Sequence, residues 1–185
     1  MRIMSKCSAV GIIAAILLII SAIWHSIANK NLLYQPQPQS QSFQQGFLKG
    51  INIPENKYLQ AKLMINGYAL TADIAGTPKQ QMTGLAIKFH LNEDQAMLFP
   101  FPVPSLEGFW MKDMRFPIDI MWIDSNNTIV HIESNLQPCI KGAICPIYSP
   151  PIKVIYVLET VAGFSQRHHV IVGQTQITAL QLLIP

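Results

Sequence analysis

The chain has no helical pattern of 12 or more residues after residue 50; short apolar runs alternate with turn residues instead. The clearest local signal is Asn66-Gly67, which lies between the apolar-rich runs 62–65 and 68–74. Both central residues of a two-residue hairpin turn need a positive φ, which asparagine and glycine tolerate. Because crossover helices of βαβ units are missing from the pattern, the sequence favours an all-β sandwich or barrel.

Two short helices and several more strands complete the predicted domain. Thr77, Pro78 and Gln80 have the spacing of a capping box at the start of a helix that ends at Gly84. One further helical turn is predicted at 165–168, and a hairpin connection at 124–127. The remaining strands are predicted at 96–101, 108–113, 118–124, 128–133, 153–159 and 177–183.

An apolar segment of 23 residues runs from Cys7 to Asn29 without Asp, Glu, Lys or Arg. As a helix it would reach about 34 Å at ~1.5 Å per residue, enough for a hydrocarbon core of about 30 Å. Arg2 and Lys6 precede it, which predicts a transmembrane anchor with a cytoplasmic N-terminus and the rest of the chain outside the cell membrane. The alternative is a signal peptide cleaved after Ala28, which predicts a secreted domain.

The chain is predicted to have three regions: the anchor or signal segment at 1–30, a Gln/Pro-rich linker at 31–49 and the β domain at 50–185. Three of the 13 lysines and arginines flank the apolar segment, which leaves ten basic and ten acidic residues elsewhere. A neutral domain lacks the basic surface that binds nucleic acid, so no nucleic-acid partner is predicted.

Cys139 and Cys145 are the only cysteines outside the apolar segment. Outside the cytoplasm we expect them to form a disulfide; a metal-binding pair or reactive thiols are the alternatives. The sequence lacks a Gly-rich phosphate loop and the H-E-x-x-H and C-x-x-C metal motifs, so no cofactor and no metal are predicted. A weaker alternative is a copper(I) site with soft ligands, formed by Met111, Met114, Met121 and His131.

A series of motifs follows in a recognisable order. They are Met82-Thr83-Gly84-Leu85, Met97-Leu98-Phe99, Phe109-Trp110-Met111-Lys112-Asp113-Met114, Pro117-Ile118-Asp119, Pro138-Cys139, Cys145-Pro146-x-Tyr148, and Val157-Leu158-Glu159 with Ala162-Gly163. Over about residues 60–180 this set resembles domain-of-unknown-function family 192. The resemblance implies a compact, jelly-roll-like β domain, often behind a signal or anchor segment, and it implies no reaction. The chain departs from the family pattern at Ala86, Ala96 and Asp113, where the family favours methionine, glycine and asparagine.

The run from Phe109 to Asp119 contains the best candidate site. On a strand, alternation would place Trp110 and Lys112 on one face, an aromatic surface beside a cation that suits a sugar ring or a carboxylated ligand. With Asp119 and Glu159 these residues form the predicted ligand-binding set. The structural alternative is that Trp110 lies in the core and Lys112 pairs with Asp119 or Glu159.

Three functions are compatible with these features. The first is a membrane-tethered module that binds a small ligand of the cell envelope, such as a carbohydrate. The second is a protein-interaction or assembly factor for a membrane complex, and the third is a hydrolase that uses the lysine and carboxylate residues as acid and base. The sequence leaves open whether the protein is an enzyme and what its oligomeric state is.

Overall fold

The computed structural model describes residues 56–139 and 142–183. The predicted anchor between Cys7 and Asn29 and the linker at 31–49 lie outside the described residues. Within the described ranges, no helix has the length and apolar character needed to span a bilayer.

The described residues form seven strands and two short helices. The strands are β1 Leu59–Ile65, β2 Tyr68–Ile74, β3 Gln95–Ser105, β4 Ile118–Ile123, β5 Ile129–Leu136, β6 Val154–Val161 and β7 Ile177–Leu183. The helices are α1 Pro78–Thr83 and α2 Phe164–Arg167, and a 3-10 turn at Gly84–Ile87 follows α1 directly. The expectation of a mainly β domain with one or two short helices is therefore confirmed.

Local signals in the sequence produced the expected local structures. Asn66 and Gly67 have φ values of 49° and 82° and connect β1 to β2 in antiparallel register. At the start of α1, the Gln80 backbone N–H donates to Thr77 Oγ1 over 3.2 Å, and the Thr77 N–H donates to Gln80 Oε1 over 3.2 Å. The capping box is therefore complete, and Gly84 ends the helix with a φ of 52°.

All seven strands belong to one sheet in the order β5-β4-β6-β3-β2-β1-β7. One neighbouring pair, β2 and β3, is parallel, unlike the antiparallel sheets of a jelly roll. The crossover between them spans residues 75–94 and contains α1 and the 3-10 turn. Parallel neighbours need only about a dozen connecting residues, so one parallel pair forms here without a long helix.

The two edge strands of this sheet also meet each other. Thr128 and Gln176 form an isolated bridge, and the Ile129 N–H donates to the Thr175 carbonyl over 2.9 Å. The Ile177 N–H in turn donates to the Asn127 carbonyl over 2.9 Å. Few backbone bonds are involved, but they close the sheet into a barrel.

The barrel sheet buries apolar side chains on both of its faces. Along β4, Met121 and Ile123 belong to one hydrophobic cluster, which also contains Phe164 of α2. Ile118, Ile120 and Trp122 belong to a second cluster on the outer face. Side chains of the loops before β4 and after β5 pack against this outer cluster, namely Phe109, Met114, Phe116, Cys139 and Tyr148. The cluster and these side chains together bury all six residues of β4.

The strand predicted at 108–113 is wrong. Phe109 alone pairs in β fashion, with Tyr148, and the chain then turns so that the Met114 N–H donates to the Met111 carbonyl over 3.4 Å. Asp113 occupies the left-handed region with a φ of 59°, which a strand does not allow. The residues that carry the candidate site therefore lie on a loop.

Candidate functional site

A cleft of about 890 Å³ opens on the outer face of the sheet. One wall consists of α1 and the 3-10 turn, and the opposite wall is the loop at 105–114. Phe99 and Phe101 of β3 and Glu159 of β6 also line the cleft. Three sequence motifs that lie far apart in the chain thus meet around one cavity.

Glu159 is the polar group buried most deeply in this cleft. In register across the central strands, Met97 of β3 and Ile120 of β4 lie on its two sides. Its side chain is buried, and within the described part of the chain Oε2 has no hydrogen-bond partner. Burial among apolar neighbours penalises the charged form and raises the pKa of Glu159 to about 8. The carboxyl is therefore mainly protonated at neutral pH.

Gly84 leaves the approach to this carboxyl open. A Cβ on this residue would lie 4.0 Å from Glu159 Oε2 and 3.6 Å from the ring of Phe99. A larger side chain would therefore project toward the carboxyl. The positive φ of 52° independently favours glycine at this helix end.

Trp110 and Lys112 lie on the loop wall of the cleft. Trp110 is 50% exposed, and the Lys112 ammonium lies 5.5 Å from the centroid of its ring. The alternative that Trp110 is a core residue is wrong; in the described part of the chain the fully buried tryptophan is Trp122. Lys112 forms no ion pair with Asp119 or Glu159 in the described part of the chain.

Backbone hydrogen bonds hold the loop on both sides of Trp110. Phe109 and Tyr148 exchange two bonds of 2.8 Å each, and the Cys139 N–H donates to the Met111 carbonyl over 3.0 Å. The predicted disulfide between Cys139 and Cys145 is confirmed, with a Cα–Cα distance of 5.6 Å. Cys139 and Tyr148, the two residues that bond to the Trp110 loop, therefore lie at the disulfide and close to it, respectively.

Asp119 does not reach the cleft. It pairs with Thr160, one position away from the Ile120–Glu159 pair, so its side chain points to the opposite face of the sheet. There, its two oxygens accept hydrogen bonds from the Asn135 and Gly163 N–H groups and from both the N–H and the hydroxyl of Ser165, at 2.6–2.9 Å. The structure thus brings Trp110, Lys112 and Glu159 to one cavity and Asp119 to another place.

The alternative metal ligands are likewise separated. Met121 belongs to the inner hydrophobic cluster, whereas Met111 and Met114 belong to the outer one. Their side chains therefore lie on opposite faces of the sheet. Within the described ranges, no group of three or more His, Cys, Asp or Glu side chains is placed to hold a metal ion.

Sequence reasoning missed the cleft wall formed by Thr83, Gly84 and Leu85 and the contribution of Phe99. These residues belong to two motifs of the family resemblance, Met82-Thr83-Gly84-Leu85 and Met97-Leu98-Phe99. Membership in these motifs was the signal by which the sequence could have indicated them as site residues. The ring of Phe99 packs edge-on against that of Phe109 with centroids 4.9 Å apart, and so connects the sheet to the loop wall.

Comparisons with solved structures return the same fold. A protein from Sinorhizobium meliloti 1021, described as a "putative transcription regulator", shares 29% identity with a TM-score of 0.57; the match covers 65% of this chain and 92% of that chain. A protein of unknown function from Novosphingobium aromaticivorans DSM 12444 shares 21% identity with a TM-score of 0.57; the match covers 64% of this chain and 82% of that chain. At that identity the second likeness supports the fold alone.

No curated protein is significantly similar to this chain. The model of the DUF192 family, described as "Uncharacterized ACR", matches residues 61–177. This range contains the complete cleft, from the α1 wall through the Trp110 loop to Glu159. The match covers well over half of the sequence, and the chain therefore belongs to the DUF192 family.

Proposed function

We propose that this protein is a binding module whose cleft takes a small ligand of the cell envelope, with a carbohydrate as the best-supported class. The observation that carries the proposal is the half-exposed Trp110 on the wall of a mainly apolar cleft. An indole ring exposed at a cavity is suited to stacking on the apolar face of a sugar ring.

The other groups in the cleft suit the polar edge of such a ring. Lys112 and Asp113 are exposed on the same wall as Trp110, and Glu107 lies on the same loop. They offer donors and acceptors to hydroxyl groups or to a ligand carboxylate. A volume of about 890 Å³ lies within the range of small-molecule sites.

The membrane is the proposed location of this module. The apolar segment from Cys7 to Asn29 would anchor the chain, and the Gln/Pro-rich linker at 31–49 would hold the domain outside the cytoplasm. Protease treatment of intact cells tests this topology, because an external domain is digested while the membrane remains sealed. Cleavage after Ala28 would instead release the domain.

One observation favours a second candidate, a hydrolase. Glu159 is a neutral carboxyl in an apolar cleft, and such a group can act as a general acid. The other carboxylate of the predicted ligand-binding set, Asp119, accepts hydrogen bonds on the other face of the sheet. An assembly role has weaker support, from exposed isoleucines of the disulfide loop and its flank, Ile144 and Ile147.

We do not propose a transcription regulator, the description given to the Sinorhizobium meliloti protein. Basic and acidic residues balance outside the N-terminal segment of this chain, and a neutral domain lacks the basic surface that binds nucleic acid.

The test is calorimetric titration of the purified full-length chain with glucose, N-acetylglucosamine, glucuronate and glucosamine. We expect saturable binding of at least one sugar, and Trp110→Ala should weaken it about tenfold, equivalent to ~1.4 kcal/mol. Phe89→Ala is the matched control, because Phe89 is also an exposed ring under a cation, Arg115, yet does not line the cleft. No binding of any sugar, or equal binding by Trp110→Ala, would contradict the proposal.

A further inference from the structure

We infer that Glu159 selects the ligand of this cleft by donating a hydrogen bond from its neutral carboxyl to a ligand oxygen that only accepts, a carbonyl or ring oxygen, so that the site takes rings with such an oxygen at their edge and loses them in alkaline solution. This inference rests on the proposed binding function and assigns to it a ligand chemistry and a dependence on pH.

Among the described residues of the strands and helix around Glu159, no cation is placed to neutralise an ionised carboxylate. Met97 and Phe99 of β3 and Ile120 of β4 are apolar. The α1 wall contributes Gln81 and Thr83 to the cleft, neither of which titrates.

The charged groups of the cleft are all on the opposite wall. Glu107, Lys112 and Asp113 lie on the loop and are exposed to solvent. In the described part of the chain, none of them forms a hydrogen bond or an ion pair with Glu159. The carboxyl therefore stays protonated until the pH approaches about 8.

A protonated carboxyl has one O–H donor as well as acceptor capacity. Glu159 is buried in the cleft with Oε2 unpartnered, and a buried polar group without a partner is costly. A ligand carbonyl or ring oxygen at this point would accept the proton of the carboxyl and so satisfy the group. A sugar ring stacked on Trp110 has its ring oxygen at the edge, and an acetamido sugar adds a carbonyl oxygen.

Deprotonation should abolish this recognition. Once Glu159 is ionised it can no longer donate, and a carboxylate oxygen would face a ligand carbonyl or ring oxygen as two acceptors. Above about pH 8, each binding event must therefore take up one proton, and affinity should fall about tenfold per pH unit.

The experiment measures the affinity of the full-length protein for N-acetylglucosamine and glucosamine between pH 6 and 9.5. For N-acetylglucosamine we expect nearly constant affinity up to about pH 7.5 and a decrease that reaches about tenfold per unit once the pH is well above about 8. Glu159→Gln keeps a neutral donor and acceptor of the same shape, so its affinity should not vary with pH. Trp110→Ala should weaken binding at every pH and leave the slope unchanged.

The outcomes separate this inference from the function on which it rests. Binding of N-acetylglucosamine with the same pH profile in the wild type and in Glu159→Gln would overturn the inference while the binding function stands. Tighter binding of N-acetylglucosamine as the pH rises would also overturn it, because the ionised carboxylate would then be the form that binds the ligand. No binding of either sugar at any pH would overturn both.

Discussion

At the scale of single residues, the two buried carboxyl groups of the central strands have opposite surroundings. Asp119 accepts from four donors, whereas Glu159 has an oxygen without a described partner. The two residues occupy neighbouring positions of the β4–β6 pairing, where Asp119 lies opposite Thr160 and Glu159 lies opposite Ile120, and side-chain alternation sends one carboxyl to each face of the sheet. Asp119 therefore fastens the strand β4 to the start of α2, and Glu159 remains available to a ligand.

We expect Glu159 to make the stability of the protein depend on pH. Folding raises the pKa of this group from 4.5 to about 8, so the native state keeps a proton that the unfolded chain releases between these values. The free energy of unfolding should therefore decrease as the pH rises from about 4.5 to 8, by at most about 1.4 kcal/mol per pH unit, and level off above. Chemical denaturation at pH 5, 6.5 and 8 measures this slope. Glu159→Gln should lack this contribution; parallel profiles for both proteins would refute it.

Among the structural elements, the loop with Trp110 depends most on its neighbours. The loop is not part of a strand. Three backbone hydrogen bonds connect it to Cys139, which forms the disulfide, and to Tyr148, three residues after the other disulfide cysteine. The loop has to turn at Asp113, where the φ of 59° is tolerated by asparagine and aspartate alike. The departure from the family asparagine at this position is therefore compatible with the backbone.

We expect the disulfide to support ligand binding through this loop. Replacing both Cys139 and Cys145 by serine should lower the free energy of unfolding by about 2 kcal/mol, the chain-entropy value for so short a loop. Because Tyr148 and Cys139 hold the Trp110 loop, sugar affinity should decrease as well. Denaturation and calorimetric titration of the double variant provide the two measurements. Unchanged affinity in a folded but less stable variant would show that the loop keeps its position without the bond.

At the scale of the whole molecule, the barrel has a strong centre and a weak seam. Strand β6 lies between β3 and β4 and is paired along both edges. At the seam, β5 meets β7 through the Thr128–Gln176 bridge and the neighbouring backbone bonds of Ile129 and Ile177. The cleft is built on the central strands, away from this seam.

Local opening should therefore begin at the seam. The amide protons of Ile129 and Ile177 bond across it, and we expect them to exchange with solvent at least tenfold faster than those in the centre of β6. Amide hydrogen exchange followed by NMR at one pH and temperature measures the difference. Equal protection at both places would mean that the barrel opens only as one cooperative unit.

The sequence by itself determined the features whose causes are local. The Asn66-Gly67 turn, the capping box at Thr77 and Gln80 and the disulfide depend on residues close together in the chain, where steric limits and short-range hydrogen bonds decide the outcome. Strand β7 was predicted with its observed bounds, and the other strands, except the one at 108–113, to within about five residues at each end.

Only the tertiary structure decided which predicted residues meet. Trp110, Lys112 and Glu159 share a cleft because the β2–β3 crossover and the disulfide-held loop enclose the same part of the sheet, and no local pattern specifies that arrangement. The separation of Asp119 from Glu159 depends on strand register, and the neutral state of Glu159 depends on burial by distant residues. Register and burial are long-range properties, since each results from contacts between segments far apart in the chain.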